Sequence, residues 1–223
     1  IHGDEMVYVL HALRKHFRGD PNVFIGSNMF LYYRKGDPRS CVAPDDFVAK
    51  GVPKVLPGGV DQQRRTYKLW QEGQAPCFVL EVTSSDTREK DEEKKTTYAE
   101  LGISEYFQFD PLGDYLRPPL QGLRLVRGRY QPIPPNPDGS LLSRTLGVLF
   151  KAGQNRLTLT NAETGEAYLR EEEADEAWRQ ETKARRQAEE AQRQAEEAQR
   201  QAEARALALE EELARLRRKL GEG

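Results

Sequence analysis

Cysteine is scarce in this chain, and several other absences narrow the field before any motif is weighed. Among 223 residues there are two cysteines, Cys41 and Cys77. Their spacing matches no zinc site and builds no disulfide framework, so they are expected to remain free thiols, as suits a reducing cytoplasm. No apolar run approaches the roughly 18 residues that cross a bilayer, and no signal-peptide pattern opens the sequence, so no membrane role is expected. An excess of one charge is missing too. The 34 Lys and Arg against 36 Asp and Glu leave −2, which argues against an indiscriminate nucleic-acid binder. The chain opens at Ile1 without a methionine, which leaves room for a preceding piece.

What is present divides near residue 168. Aromatic and aliphatic residues are abundant before it and sparse after it, which predicts one α/β domain over 1–168 and an appendage over 171–220. In the appendage Arg-Gln-Ala-Glu-Glu-Ala-Gln fills 186–192 and again 193–199. Small or apolar residues recur in steps of four and three, from Ala184 through Ala188, Ala191, Ala195, Ala198, Ala202 and Ala206 to Leu209, Leu213, Leu216 and Leu220. That is the 3.5-residue period of a left-handed coiled coil, and a homodimer through residues 171–220 is expected. Pairs such as Glu189–Arg193, Glu196–Arg200 and Glu211–Arg215 would also support a solvated single helix.

Within the domain, Asp4 to Phe17 reads as an amphipathic helix with Met6, Val7, Leu10, Leu13 and Phe17 on its apolar stripe. Val23 to Tyr33 is strand-rich with a bulge expected at Gly26-Ser27-Asn28. Cys41 to Ala49 reads as another strand, with Pro44 at its start, an edge or a bulge. Lys50 to Gln74 is polar and punctuated by Pro and Gly, hence a loop with a helical turn near Arg65–Trp70. Cys77 to Thr83 is a short apolar strand, Ser84-Ser85-Asp86-Thr87 supplies capping residues, Arg88 to Leu101 is a helix stopped by Gly102, and Ile103 to Phe109 is a second strand. A strand, a helix and a strand of these lengths make a βαβ unit with parallel strands. A hairpin around Arg127-Gly128, and later strands or a short helix over Leu141 to Phe150 and Arg156 to Thr160, complete the reading.

Glu81 is out of place in that unit, because an unpaired carboxylate inside an apolar strand is costly. Asp45 stands likewise in the other apolar segment. Two converging carboxylates without histidines suit a hard, oxygen-seeking ion such as Mg2+ or Mn2+, which can polarise a phosphodiester and generate hydroxide at neutral pH. On the helix, Tyr98 and Leu101 define the inward direction; Lys94 falls within roughly 10° of it, and Lys95 points about 90° away. The plainer alternative makes Asp45 a turn residue, Glu81 an edge charge and Lys94 a snorkelling surface group.

Pro44-Asp45, Glu81-Val82-Thr83, Asp91-x-x-Lys94 with Tyr98-Ala99, Gly102, Glu105-Tyr106 and Asp110-Pro111 resemble, in order and in element, the Uma-type restriction endonucleases of the PD-(D/E)xK superfamily. The likeness runs from the first helix to about Tyr168. It implies a restriction-endonuclease-like core, a four-stranded mixed sheet flanked by helices. Asp45 and Glu81 would be magnesium ligands, the main-chain carbonyl of Val82 a further ligand, and DNA the substrate. The signature lysine two residues after the glutamate is Thr83 here. Members of the family move that lysine to the following helix, which means Lys94. The expected activity is metal-dependent hydrolysis of DNA phosphodiesters by Asp45, Glu81 and Lys94. The alternative is a catalytically silent module that binds nucleic acid or protein and is recruited through its coiled coil.

Overall fold

The computed structural model describes residues 2–56, 64–84 and 88–221, with the side chains of 88, 89, 206–208 and 217–220 excepted. The chain divides into two units, 1–168 and 169–223. In the first, α1 (His2–His16) buries Glu5, Tyr8, Val9, Ala12 and Leu13. The apolar stripe is thus rotated from the expected one, and Val7 is exposed. Four short strands follow: β1 (Val23–Ser27), β2 (Leu31–Tyr32), β3 (Cys41–Val42) and β4 (Asp46–Lys50). Then come β5 (Tyr67–Lys68), a single helical turn α2 (Leu69–Glu72), β6 (Phe78–Val82), α3 (Arg88–Glu100) and β7 (Glu105–Phe109). The hairpin β8 (Leu120–Val126) and β9 (Arg129–Pro132) turns through Arg127 and Gly128, both at positive φ, as a tight turn matching the strand twist requires. The unit closes with β10 (Leu141–Ser143), β11 (Val148–Gly153) and β12 (Arg156–Asn161). Of the expected capping cluster before α3, Ser85, Asp86 and Thr87 lie outside the described residues, as does 57–63 of the long loop.

The central sheet is mixed and runs β1-β4-β6-β7-β8-β9. β6 and β7 are parallel neighbours joined through α3, and β4 is antiparallel to both β1 and β6. The resemblance implied four strands; the hairpin β8–β9 extends the sheet to six. Alternation along the strands gives each face its own core. On one face Ile25, Val48, Phe78, Leu80 and Phe107 pack with Val9 and Leu13 of α1 and with Phe150 and Leu159 of the three-stranded sheet β10-β11-β12. On the other, Phe47, Val79 and Tyr106 pack with Tyr98 of α3 and with Leu31 and Tyr67 of a small sheet, β3-β2-β5.

The strand-rich stretch Val23–Tyr33 is shared between two sheets: β1 pairs with β4 and β2 with β3 and β5. Two expectations fail here. Cys41–Ala49 is not one strand but divides in the same way, with Pro44 and Asp45 in the link before β4. Gly26 marks no bulge, since the β1–β4 register runs unbroken through Gly26 and Phe47. Its role is steric: a Cβ there would lie 2.3 Å from the Phe47 ring.

The second unit is one helix, α4 (Glu171–Gly221), about 76 Å long at 1.5 Å per residue. Leu209, Leu213, Leu216 and Trp178 are exposed on it. The seam side chains of Ala206 and Leu220 lie outside the described residues. Glu189 pairs with Arg185 and Glu196 with Gln192, partners one turn before each glutamate, whereas the expected arginines lie one turn after.

The close approach at Gly26 gives a test of the β1–β4 pairing. Gly26→Ala should lower unfolding stability by about 1–3 kcal/mol, the cost of overpacking a filled core. Gly19→Ala, with nothing within 4 Å of its Cβ, should be nearly neutral in the same chemical denaturation measurement.

Candidate active site

Glu81 belongs to β6, where Phe78, Leu80 and Val82 face the α1 side and Val79 and Glu81 face α3. Asp46 pairs with Leu80; one step further along the same antiparallel register, Asp45 stands across from Glu81 at the end of β4. The pleat therefore sends the neighbouring acids to opposite faces of the sheet: Asp45 joins Glu81, whereas Asp46 sits on the α1 side. Asp46 is fully buried without a hydrogen-bond partner among the described residues, and burial pushes its carboxyl well above the usual range. The Ser27 hydroxyl on the paired strand favours its ionised form without closing a hydrogen bond.

Asp45 is held from two sides. Its Oδ2 accepts the Val82 N–H at 2.7 Å and lies 3.4 Å from His2 Nε2 at the start of α1. Burial pushes its carboxyl up, against the pull of the Val82 N–H, His2 and Lys94.

Glu81, 2% exposed, is held by α3. Lys94 Nζ donates to Oε2 at 2.7 Å, and Tyr98 donates to Oε1 at 2.5 Å. Burial pushes the Glu81 carboxyl up to about 7, with Lys94 pulling it down and Asp45 adding to the push. The phenol of Tyr98 is itself driven far up by burial beside Glu81. Lys95, one residue on, lies 3.6 Å from Glu92 on the water side of the helix.

The inward stripe of α3 carries a third polar residue, Asp91, three residues before Lys94. It accepts a hydrogen bond from the Thr83 hydroxyl and one from Tyr115 at 3.1 Å, and the Thr83 and Tyr115 hydroxyls meet at 2.5 Å. This buried knot ties the start of α3 to the end of β6, fixing the helix rotation that aims Lys94 and Tyr98 at Glu81. The Tyr106 hydroxyl on β7 is buried on the same face without a hydrogen-bond partner among the described residues, its ring against that of Tyr98.

Among the described residues no three His, Cys, Asp or Glu side chains gather as a metal site. The donors that do converge are two carboxylates, and a magnesium-sized ion, which keeps several waters and takes one or two carboxylates plus substrate phosphate, fits that set.

The family model Uma2, described as "Putative restriction endonuclease", matches residues 1–160. The chain belongs to the Uma2 family. Among solved structures it resembles a protein from Anabaena variabilis described as a putative nuclease belonging to DUF820, at 13% identity and a TM-score of 0.47, over 65% of this chain and 73% of that one. No curated protein matches the chain.

Of the residues singled out from sequence, Asp45, Val82, Glu81 and Lys94 meet through the contacts above. Sequence reading missed His2, Thr83 as a hydrogen-bonding residue, and Tyr115. It named Asp91 and Tyr98 within the family motif, and Tyr98 also as a marker of the inward direction, but gave neither a role in the site. A signal existed for Asp91, which shares the Lys94–Tyr98–Leu101 stripe; none existed for Tyr115, which comes from a loop 24 residues away from it.

The knot should be measurable as stability. Thr83→Val removes the hydroxyl shared by Asp91 and Tyr115 and should cost about 1–3 kcal/mol in urea denaturation, whereas Thr83→Ser should retain most of it. Equal losses for the two would assign Thr83 a packing role only.

Proposed function

We propose that this chain is a metal-dependent endonuclease acting on DNA phosphodiesters. The observation that carries the reading is the pairing of Glu81 with Lys94, on the same sheet face to which the β4–β6 register brings Asp45. Asp45, Glu81 and the main-chain carbonyl of Val82 would hold Mg2+ or Mn2+, which supplies Lewis acidity and a hydroxide nucleophile when bound. The protein's own work is electrostatic. The buried carboxylates, fixed by the Val82 N–H and Tyr98, cannot reorient when charge develops. Lys94 presents an ammonium to the attacking water and to the growing negative charge on phosphorus, where a positioned donor in a dry site acts most strongly. Lys95 faces water, where its charge is screened.

On supercoiled plasmid with Mg2+, Lys94→Ala should therefore cut the cleavage rate by about a hundredfold or more, the usual cost of losing one positioned transition-state donor. Lys95→Ala should cost a few-fold, an effect that added salt masks. Equal losses would reduce α3 to a basic surface.

One observation favours a second reading, a catalytically silent module. Thr83 occupies the place of the signature lysine and is tied to Asp91 and Tyr115. Wild type that binds DNA but leaves plasmid intact with Mg2+ and with Mn2+, while Asp45→Ala binds equally well, would establish that reading instead.

We also propose that α4 pairs with the same helix of a second copy. Leu209, Leu213 and Leu216 repeat at steps of four and three and are about half exposed or more. Leu213→Asp with Leu216→Asp should convert a dimer to a monomer in sedimentation and leave the thermal transition of the 1–168 unit nearly unchanged. A wild type that sediments as a monomer at micromolar concentration would contradict the pairing. No helix among the described residues is long and apolar enough to cross a membrane, and both cysteines are free, which fits a reducing compartment such as the cytoplasm.

A further inference from the structure

Glu81 has two oxygens and both are engaged, Oε2 by Lys94 and Oε1 by Tyr98. Each oxygen keeps a further lone pair, so a divalent cation that takes this carboxylate arrives beside one of those two donors. The two differ in what they can do. Tyr98 is 0% exposed, its ring stands edge-on to Tyr106 with centroids 5.3 Å apart, and it belongs to the core shared with Phe47 and Val79. Moving it would open a cavity beneath α3, which a packed core resists. Lys94 ends a flexible four-carbon stem, and its side chain is 24% exposed, so its ammonium can turn toward solvent without opening the core.

We propose that Lys94 is a displaceable counter-ion that competes with the divalent cation for Glu81 Oε2, while Tyr98 is the fixed positioning residue that keeps Oε1 and holds the carboxylate in place. The exchange rests on the metal-dependent reading above and adds a coupling to it. With the site empty, Lys94 neutralises a buried carboxylate that would otherwise be costly to keep in the fold. A cation on Oε2 would repel the Lys94 ammonium held at the same oxygen, and that repulsion drives the exchange. Lys94 turns out on its stem and its ammonium becomes available to a phosphate or an attacking water. One residue thus serves the empty site as a structural ion and the loaded site as the catalytic cation, and its release is tied to loading.

The competition has a thermodynamic signature that a purely catalytic or purely structural lysine lacks. If only a fraction of molecules has Oε2 open, apparent metal affinity is reduced by that fraction, and removing the competitor restores it; an open fraction near one-tenth makes the gain about tenfold. The test is calorimetric titration of the full chain with MnCl2 alone, without DNA. Lys94→Met should bind Mn2+ about tenfold more tightly than wild type. Lys95→Met, which removes the same charge one residue away, should change affinity little; an equal gain in both variants would mean a general field effect and overturn the exchange. Tyr98→Phe should weaken binding, and weakening in Lys94→Met would likewise overturn it. Reductive dimethylation read by mass spectrometry supplies a second measurement on wild type: Mn2+ should raise labelling of Lys94 several-fold and leave Lys95 unchanged, whereas unchanged labelling of Lys94 would contradict its release. Binding that Asp45→Ala abolishes, together with equal affinities for wild type and Lys94→Met, would overturn the exchange and leave the metal site standing. Failure of every variant to bind Mn2+ would overturn both.

Discussion

Everything at this site follows from one carboxylate placed where a carboxylate is expensive. Glu81 lies inside a central strand, 2% exposed, on a sheet whose neighbours are Val79, Phe47 and Tyr106. A buried charge of that kind persists only if its surroundings answer it, and here the answer comes from a single helix. Lys94 and Tyr98 occupy the two oxygens, and Asp91 on the same stripe locks the helix rotation through Thr83 and Tyr115. The β6–α3–β7 crossover fixes where that helix lies. The antiparallel β4–β6 register adds Asp45 from the other side of the strand. Remove the carboxylate and the polar stripe of α3 loses its purpose; remove the stripe and the carboxylate loses its support.

The cost of this arrangement is consistent with a site built for a ligand rather than for stability. Burial pushes the carboxyls of both Asp45 and Glu81 upward, and the Tyr106 hydroxyl on the same face meets no hydrogen-bond partner among the described residues. Asp46 provides the contrast. It has the same chemistry and lies one residue from Asp45, yet the pleat turns it toward the α1 face, away from Lys94, Tyr98 and Asp91. Charge type alone could not have separated these two acids; the strand's period of two does.

That contrast also shows what a sequence discloses. α1, α3, β6 and β7 were legible because each carries a sustained periodicity or an apolar run bounded by clear punctuation, and the direction of Lys94 against Lys95 followed from 100° per residue. Asp45 was paired with Glu81 as the carboxylate of a second apolar segment, and the family resemblance gave both the role of magnesium ligands. Short apolar runs were less informative. Cys41–Ala49 looks like one strand and Val23–Tyr33 reads only as strand-rich, because which sheet a two-residue strand joins depends on partners such as Tyr67, far along the chain. Gly26 looked like a bulge because a strand glycine often is one; the Phe47 ring that fills its place comes from the paired strand. Tyr115 and His2 carried no local signal, since their roles depend on tertiary neighbours alone.

The central claim is that Asp45 and Glu81 form one cation site from which Lys94 can be displaced. Crystals of the full chain soaked in MnCl2 and measured for manganese anomalous scattering test it most directly. The account predicts an anomalous peak bounded by Asp45 and Glu81 Oε2, with Tyr98 still on Oε1 and Lys94 turned away. A peak elsewhere, or Lys94 still bonded to Glu81 beside a bound ion, would contradict it.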